Sequence, residues 1–193
     1  MRSIYLVLDL QNDLVHPDGV QGARPLGAQV RARRVVENTV AAVRKAREAG
    51  IAVGFVRVGF SEGYPECPPN SPVFSGAPQA GLYQLGTWGT QLHEALEQRP
   101  GDVQVVKHRI SPFYSTTLMA QLRALRIERI YCSGVSTQAV VQSTVREGHD
   151  RDFEMVVLDD CCCAWSEQEH ANSIASISRL CRVTTVGEVA FSH

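Results

Sequence analysis

The segment Ile4-Tyr5-Leu6-Val7-Leu8-Asp9 places five apolar residues directly before a carboxylate. An apolar run of this length is typical of a buried strand, and similar runs alternate along the chain with segments of helical period. That alternation predicts an α/β fold in which crossover helices cover a parallel, doubly wound sheet. The run is too short for a membrane span or for the core of a signal peptide, so we expect a cytoplasmic protein.

The other elements are predicted from the same two patterns. Strands are expected at residues 4–8, 51–58, 103–106, 130–133, 154–158 and near 183–186. Helices are expected at residues 30–49, near 90–98, and at 116–125, 137–148 and 167–180, and the Pro- and Gly-rich residues 59–81 are expected to form a long irregular loop. The chain has no internal repeat, and its length predicts a single domain of residues 1–193.

The composition limits the kinds of partner that the protein can have. The chain carries 19 Lys and Arg against 20 Asp and Glu, a net charge of −1, and 44% of its residues are hydrophobic. So small a net charge creates no strong field towards nucleic acid or an anionic membrane, and we expect neither as a partner. A small-molecule substrate is expected instead.

Polar residues follow three of the predicted strands. They are Asp9 after the first strand, Lys107 after the third, and the turn at residues 134–137 after the fourth. In a sheet of order 3-2-1-4 these strand ends lie close together, which predicts a site shared by a carboxylate, an ammonium group and a helix N-terminus. Each group also has a purely structural interpretation, as a turn cap, a surface lysine and a helix N-cap.

These segments resemble the three signature segments of the isochorismatase-like hydrolases. They read Ile4-Tyr5-Leu6-Val7-Leu8-Asp9-Leu10-Gln11-Asn12-Asp13, Lys107-His108-Arg109-Ile110-Ser111-Pro112-Phe113 and Gly134-Val135-Ser136-Thr137. Supporting matches lie at residues 86–89, at Thr116 and Leu118, and at Asp159 with His170. The resemblance implies a Rossmann-like, three-layer α/β/α fold with a six-stranded, mostly parallel sheet. It also implies homo-oligomers of two or more chains, with no bound nucleotide or other cofactor.

The resemblance further implies which residues act, and this chain departs from the pattern at one of them. Most members of the family hydrolyse amides with a Cys–Asp–Lys triad, whose Asp and Lys correspond to Asp9 and Lys107. The nucleophilic Cys of the family lies three residues after the Thr of the turn, and counting from Thr137 reaches Val140. Because valine has no ionisable atom, a thioester cannot form at this position.

A substrate pocket is expected around this pair. We predict that Ser136, Thr137 and the backbone of Val140 form its polar side and that Gln11 and Phe113 also bind the substrate. Other aromatic residues of the loops either line the pocket or pack in the core or in a subunit interface: Phe60, Tyr64, Trp88 and Tyr114. The histidines show no metal-ligand spacing, and we expect no metal: His16, His93, His108, His149, His170 and His193.

The cysteines show neither a CxxC pair nor a spacing of the zinc-site kind: Cys67, Cys132, Cys161, Cys162, Cys163 and Cys181. In a chain that we expect to be cytoplasmic, disulfides are not expected either. One of these thiols could replace the missing nucleophile, but Cys132 is better explained as a small residue of the core.

Three functional hypotheses follow from these observations. The leading one is a hydrolase of a small polar molecule in which Asp9 is the acid or base and Lys107 its electrostatic partner, without a cysteine nucleophile. The isochorismatases proper provide the precedent, since they lack the cysteine and cleave an enol ether by acid catalysis. The alternatives are a family member without turnover that serves as a ligand-binding or assembly module, and an amidase that uses a relocated thiol.

Overall fold

Six strands form one sheet in the computed structural model, which describes residues 2–192. They are β1 (Arg2–Leu8), β2 (Ala52–Val58), β3 (Val103–Lys107), β4 (Ile127–Gly134), β5 (Glu154–Leu158) and β6 (Arg182–Thr184). All neighbouring strands are parallel, and their order is β3-β2-β1-β4-β5-β6. The predicted α/β class is confirmed, and the order 3-2-1-4, on which the predicted site was conditional, is the order observed.

The helices are α1 (Asn12–Val15), α2 (Pro25–Ala32), α3 (Val35–Glu48), α4 (Ala77–Ala80), α5 (Leu118–Ala124), α6 (Gln142–His149) and α7 (Glu167–Ile177). Short 3-10 turns lie at Trp88–Thr90 and Asp159–Cys161, and a π-helical turn, Thr137–Val141, precedes α6. None of the helices within residues 2–192 is long and apolar enough to cross a membrane.

Alternate side chains of β1 enter two hydrophobic clusters, one on each face of the sheet. Tyr5 and Val7 pack in the cluster that contains the apolar face of α3, whereas Ile4, Leu6 and Leu8 pack with residues of α5 and α6. A central parallel strand that is buried on both faces has no polar face, and for this reason its sequence is a continuous apolar run. The sheet is therefore the middle layer of three.

The single helix predicted at residues 30–49 is wrong. Helix α2 ends at Ala32 and α3 begins at Val35, and between them Arg34 adopts a left-handed conformation with φ of 53°. The break places the Arg33 guanidinium against the chain after β5, where it donates to the carbonyl of Cys162 and to the carboxylate of Asp159. These contacts join residues more than 120 positions apart in the chain. The break in the helix therefore cannot be predicted from the helical pattern of the segment itself.

The helix predicted near residues 90–98 is also wrong. Beyond the short turn Trp88–Thr90, this segment pairs with the chain that follows β1. The amide of Asn12 donates to the carbonyl of Gln91, and the amide of His93 donates to the carbonyl of Leu10. Backbone groups used in this pairing are not available to a helix, so tertiary contacts override the local pattern.

The remaining differences concern the ends of elements. Strand β4 begins at Ile127 rather than at residue 130, and α5 and α7 are shorter than the predicted segments 116–125 and 167–180. The predicted helix 137–148 starts with the π-helical turn, and the loop 59–81 includes the four-residue helix α4. The type of each of these elements agrees with the prediction.

Gly134, at the end of β4, is the glycine on which the packing of the strand ends depends. Its φ is +142°, and a Cβ atom there would lie 2.0 Å from the carbonyl oxygen of Leu8 on β1. We expect Gly134→Ala to lower the free energy of unfolding by about 3 kcal/mol or more, because the added carbon meets backbone that cannot move aside.

Urea denaturation checks this expectation, with Gly76→Ala as the matched control. Gly76 has φ of −85° and open space around its Cβ position, so alanine there fits without strain. Equal stability of the two variants would contradict the proposed close approach of β1 and β4.

Candidate active site

Asp9 and Lys107 meet at the carboxyl end of the sheet although β2 separates their strands. Asp9 directly follows β1, and Lys107 is the last residue of β3. Lys107 Nζ lies 2.7 Å from Asp9 Oδ2, and the two side chains are only 2% and 5% exposed. Lys107 Nζ also donates to the carbonyl of Arg109 at 3.2 Å. The two predicted catalytic residues therefore form a buried ion pair.

The backbone of Asp9 is itself unusual. Its φ is +57°, in the left-handed region, which asparagine and aspartate tolerate better than most residues. The amide of Asp9 donates to the carbonyl of Val56 on β2 at 2.9 Å. This hydrogen bond fixes Asp9 at the point where the chain leaves the sheet. This turn places the carboxylate across the end of β2, within reach of Lys107.

Burial dominates the electrostatics of the pair. It raises the pKa of Asp9 above the ordinary value of an aspartate, because the ionised form is removed from water, and the Lys107 ammonium only partly offsets this effect. Asp9 Oδ2 accepts from Lys107, whereas Asp9 Oδ1 is buried and has no hydrogen-bond partner within residues 2–192. One oxygen of the carboxyl therefore accepts from Lys107, and the other is available for a proton or a ligand.

A cavity of about 420 Å³ opens above the pair, and we call it the strand-end cavity. Its polar lining consists of Asp9, Lys107, Gln21, Tyr83, Ser136 and Gln138. Its apolar lining includes Leu14, Leu26, Val58, Phe74, Ile110, Val135, Val140 and Trp165. A cavity of this size, largely apolar with a few polar groups, is typical of a small-molecule site.

The turn after β4 supplies the wall opposite the ion pair. The peptide bond between Val135 and Ser136 is cis, and the π-helical turn Thr137–Val141 follows. The side chain of Val140 lies in the cavity lining, at the position where the family pattern has its cysteine. The strand-end cavity therefore contains an isopropyl group in place of a thiol.

Thr137 is held behind this wall by a chain of polar contacts. Its amide donates to the carbonyl of Cys163, and its hydroxyl lies 2.9 Å from His170 Nδ1. His170 Nε2 in turn lies 3.0 Å from Asp159 Oδ1, and this hydrogen bond is the main reason that the pKa of Asp159 is lowered. Arg33 pairs with the other oxygen of Asp159 and completes the chain.

The structure brings four of the predicted site residues together in the strand-end cavity: Asp9, Lys107, Ser136 and Val140. The other three lie outside its lining. Gln11 forms two hydrogen bonds with the backbone of Val58, at 2.9 and 3.0 Å, and so clamps the ends of β1 and β2 together. Phe113 stacks on Phe153, and Thr137 faces His170.

The sequence reasoning missed the other lining residues, among them Gln21, Tyr83, Gln138 and Trp165. Gln21 and Tyr83 depend on Asp13, whose carbonyl accepts from the amide of Gln21 and whose carboxylate accepts from the amide of Tyr83. The cluster of polar residues that follows β1 in the sequence indicates that hydrogen bonds hold the chain at this point. Nothing in the sequence indicates which distant residues it fastens.

The thiols lie away from the strand-end cavity within the described residues. Burial raises the pKa of Cys161 and of Cys163 to about 12, and it raises the pKa of Cys132 strongly as well. Cys67 lines a separate surface pocket, its thiol donates to the carbonyl of Phe74, and burial raises its pKa too. Since a nucleophilic cysteine needs a lowered pKa and access to substrate, these thiols do not have that character.

The residues that the structure describes contain no cluster of three or more His, Cys, Asp or Glu side chains arranged to hold a metal ion. His16 and His93 face each other with ring centroids 5.5 Å apart, beside Trp88. His193 lies outside the described residues.

Comparisons with known proteins agree with this architecture. A model of the isochorismatase domain matches residues 3–188. The chain is 34% identical over 186 residues to the uncharacterized isochorismatase family protein YecD of Escherichia coli O157:H7, and the match covers 95% of this chain and 92% of that protein.

Two solved structures share the fold. A cysteine hydrolase from Pseudomonas syringae pv. phaseolicola has a TM-score of 0.84 at 22% identity, covering 97% of this chain and 90% of that one. N-carbamoylsarcosine amidase from Thermoplasma acidophilum has a TM-score of 0.78 at 21% identity, covering 99% of this chain and 100% of that one. Identities this low establish the fold alone.

The buried pair predicts a pH-dependent loss of stability in Lys107→Met. The substitution removes the ammonium that lowers the pKa of Asp9, while burial continues to raise that pKa. A carboxyl whose folded-state pKa exceeds its unfolded value costs stability as the pH rises between the two values. We expect the variant to lose about 3 kcal/mol or more relative to the unsubstituted protein at about pH 8, and clearly less at about pH 5.

Urea denaturation at the two pH values measures this difference. The double variant Asp9→Asn with Lys107→Met is the control, because it contains no buried carboxyl at this position and its loss of stability should not grow with pH. A loss in Lys107→Met that is the same at both pH values would contradict the assignment.

Proposed function

The chain belongs to the isochorismatase family, whose members are hydrolases, and on that basis we propose that it hydrolyses a small polar molecule with Asp9 and Lys107 and without a cysteine nucleophile. One observation carries the proposal. The buried pair, with 2.7 Å between Lys107 Nζ and Asp9 Oδ2, opens into a cavity whose lining includes Val140. The cavity therefore contains the acid–base groups Asp9 and Lys107 but no cysteine at position 140.

Proton transfer is the chemistry that such a site can perform. Burial raises the pKa of Asp9, so at a given pH a larger fraction of this carboxyl is protonated than in an ordinary aspartate, and the protonated form acts as a general acid. In the protonated form we place the proton on Oδ1, because Oδ2 accepts from Lys107 and Oδ1 has no hydrogen-bond partner within residues 2–192. Lys107 orients the substrate and stabilises negative charge that develops beside it.

Cleavage of an enol ether is a reaction that this arrangement supports. Asp9 gives its proton to the vinyl carbon, and a water molecule attacks the oxocarbenium carbon that results. The proton lost by this water returns to Asp9. The hemiketal then collapses to a carbonyl compound and an alcohol, so that one water is consumed and the acid is regenerated. No covalent bond to the protein is formed.

The two alternative hypotheses have less support. A relocated thiol would have to reach the strand-end cavity, and the described cysteines lie outside its lining with raised pKa values at Cys67, Cys132, Cys161 and Cys163. A module without turnover accounts for Val140. It does not account for a buried ion pair, since desolvation makes such a pair costly to keep for packing alone.

The family resemblance also supports proposals about the state of the protein. We propose one domain spanning residues 1–193, a cytoplasmic location and an assembly of two or more copies of the chain. Light scattering on the purified protein measures the assembly, and a monomer at micromolar concentration would remove that part of the proposal.

We expect Asp9→Asn to lower turnover by about 10²-fold or more, because the asparagine cannot donate the proton. The substrate is found by screening amides, carbamates, esters and enol ethers. For the unsubstituted enzyme, kcat/KM should fall as the pH rises through the pKa of Asp9, because the acid form is consumed. Asp18→Asn, at an exposed position, is the control that should leave turnover unchanged. Full turnover in Asp9→Asn, or no turnover of any compound in the screen, would remove the proposal.

Alkylation tests whether a thiol takes part. Turnover should survive treatment with iodoacetamide, because the native cysteines lie outside the cavity lining. Val140→Cys should make turnover sensitive to the reagent, since the new thiol lines the strand-end cavity. Val141→Cys is the matched control, because Val141 packs in the same hydrophobic cluster as Val140 but does not line the cavity. Loss of turnover in the unsubstituted enzyme, with the modified cysteine identified by mass mapping, would instead support a relocated nucleophile.

A further inference from the structure

The strand-end cavity concentrates hydrogen-bonding groups that the protein leaves unpaired. Asp9 Oδ1, Gln21 Oε1 and Gln138 Oε1 are all buried without a hydrogen-bond partner among the described residues, and all three residues line this cavity. A buried polar atom without a partner costs free energy, and most such atoms in native structures are paired. The cavity therefore contains three acceptors with which a ligand that carries hydrogen-bond donors can pair.

The two glutamines are held in place from behind. The amide of Gln21 donates to the carbonyl of Asp13 at 2.8 Å, and the carbonyl of Gln21 accepts from the amide of Arg24. Gln138 follows Thr137, which is fastened to Cys163 through its amide and to His170 through its hydroxyl. Both carboxamides therefore project from backbone that is fixed independently of any ligand, which is the arrangement expected of binding groups.

With Asp9 ionised, the charge of the cavity lining sums to zero. Asp9 and Lys107 are the charged residues of the lining within residues 2–192, and they already neutralise each other. Tyr83 also lines the cavity, where burial and the nearby carboxyls of Asp9 and Asp13 raise its pKa and keep its hydroxyl protonated. A carboxylate that enters this site while Asp9 is ionised finds no unpaired cation and lies beside the Asp9 carboxylate, which makes its desolvation expensive.

The rest of the lining is apolar and reaches the surface. Trp165 and Val73 line the cavity and are 38% and 59% exposed. Exposed apolar side chains at the opening of a cavity favour a ligand whose body is apolar, because binding removes both surfaces from water.

From these observations we propose that Gln21 and Gln138 are the specificity-determining residues of the site, and that they select an uncharged substrate with a hydrogen-bonding group on an apolar body. Each carboxamide offers an NH2 group as donor and a carbonyl oxygen as acceptor, so the pair recognises a neutral group that both donates and accepts, such as a carboxamide or a hydroxyl. Carboxylates are rejected. This inference rests on the proposed function only in that it places the substrate in the same cavity.

Binding of matched probes tests the proposal without requiring turnover. Benzamide and benzoate have nearly the same shape and differ in charge at neutral pH. Titration calorimetry or ligand-observed NMR on the unsubstituted protein should show benzamide binding at least about tenfold more tightly than benzoate. Gln21→Leu and Gln138→Leu should each lower this preference to about threefold or less, because a leucine cannot pair with the amide group.

Gln29→Leu is the matched control. Gln29 is half-buried on α2, as Gln21 is half-buried nearby, but it lies outside the cavity lining. The control should keep the full preference. Circular dichroism and the urea midpoint show whether each variant is folded. If one leucine variant does not fold, Gln138→Met or Gln21→Met, which preserve the length of the side chain, provide the measurement.

Equal or tighter binding of benzoate, failure of benzamide to bind at millimolar concentration, or unchanged preference in both glutamine variants would overturn the proposal. Its failure is distinguishable from failure of the proposed hydrolysis. A protein that prefers benzamide through the two glutamines, yet turns over nothing in the substrate screen, would retain the inference and lose the function. Turnover that depends on Asp9, combined with a preference for benzoate, would give the opposite result.

Discussion

The burial of an aspartate–lysine pair at the carboxyl end of a parallel sheet is the constraint on which the rest of this structure depends. Two charges out of water are tolerated only when they contact each other closely, and here the contact spans the width of one strand. Several local features serve that contact. Asp9 takes a left-handed conformation, and Gln11 clamps the ends of β1 and β2. Gly134 lets β4 approach the carbonyl of Leu8.

The substitution of a valine for a nucleophilic thiol changes what such a pair can do. When a cysteine lies within reach, an aspartate beside a lysine activates the sulfur. With Val140 in that place, the aspartate is itself the group that transfers a proton in the proposed reaction. Burial favours the protonated carboxyl and so directs the site towards acid catalysis. In the proposed function, the absence of one group therefore changes the reaction class of the site while its scaffold stays the same.

The cavity above the pair has a polarity of its own. Its charges cancel, and its further polar groups are carboxamides and hydroxyls on otherwise apolar walls. The chain that fastens Thr137 through His170, Asp159 and Arg33 lies behind one wall, and Asp13 fastens the opposite side. Most of the buried polar residues near the site thus hold the walls in position, and few of them are left to meet a ligand.

The sequence by itself determined the parallel sheet and the position of Asp9, Lys107 and the turn before Thr137 at the ends of strands, because buried parallel strands are continuous apolar runs whose ends share one edge. It also determined the absence of sulfur at position 140. The order of the strands, which brings these three ends together, came only from the tertiary structure. Only the tertiary structure decided that residues 30–49 form two helices, that residues 90–98 pair with the chain after β1, and that Gln21, Tyr83 and Gln138 face the cavity while Gln11 and Phe113 do not. The physical reason is that hydrogen bonds such as those of Arg33 and Asp13 join segments distant in the chain, and no local period of residues records such a contact.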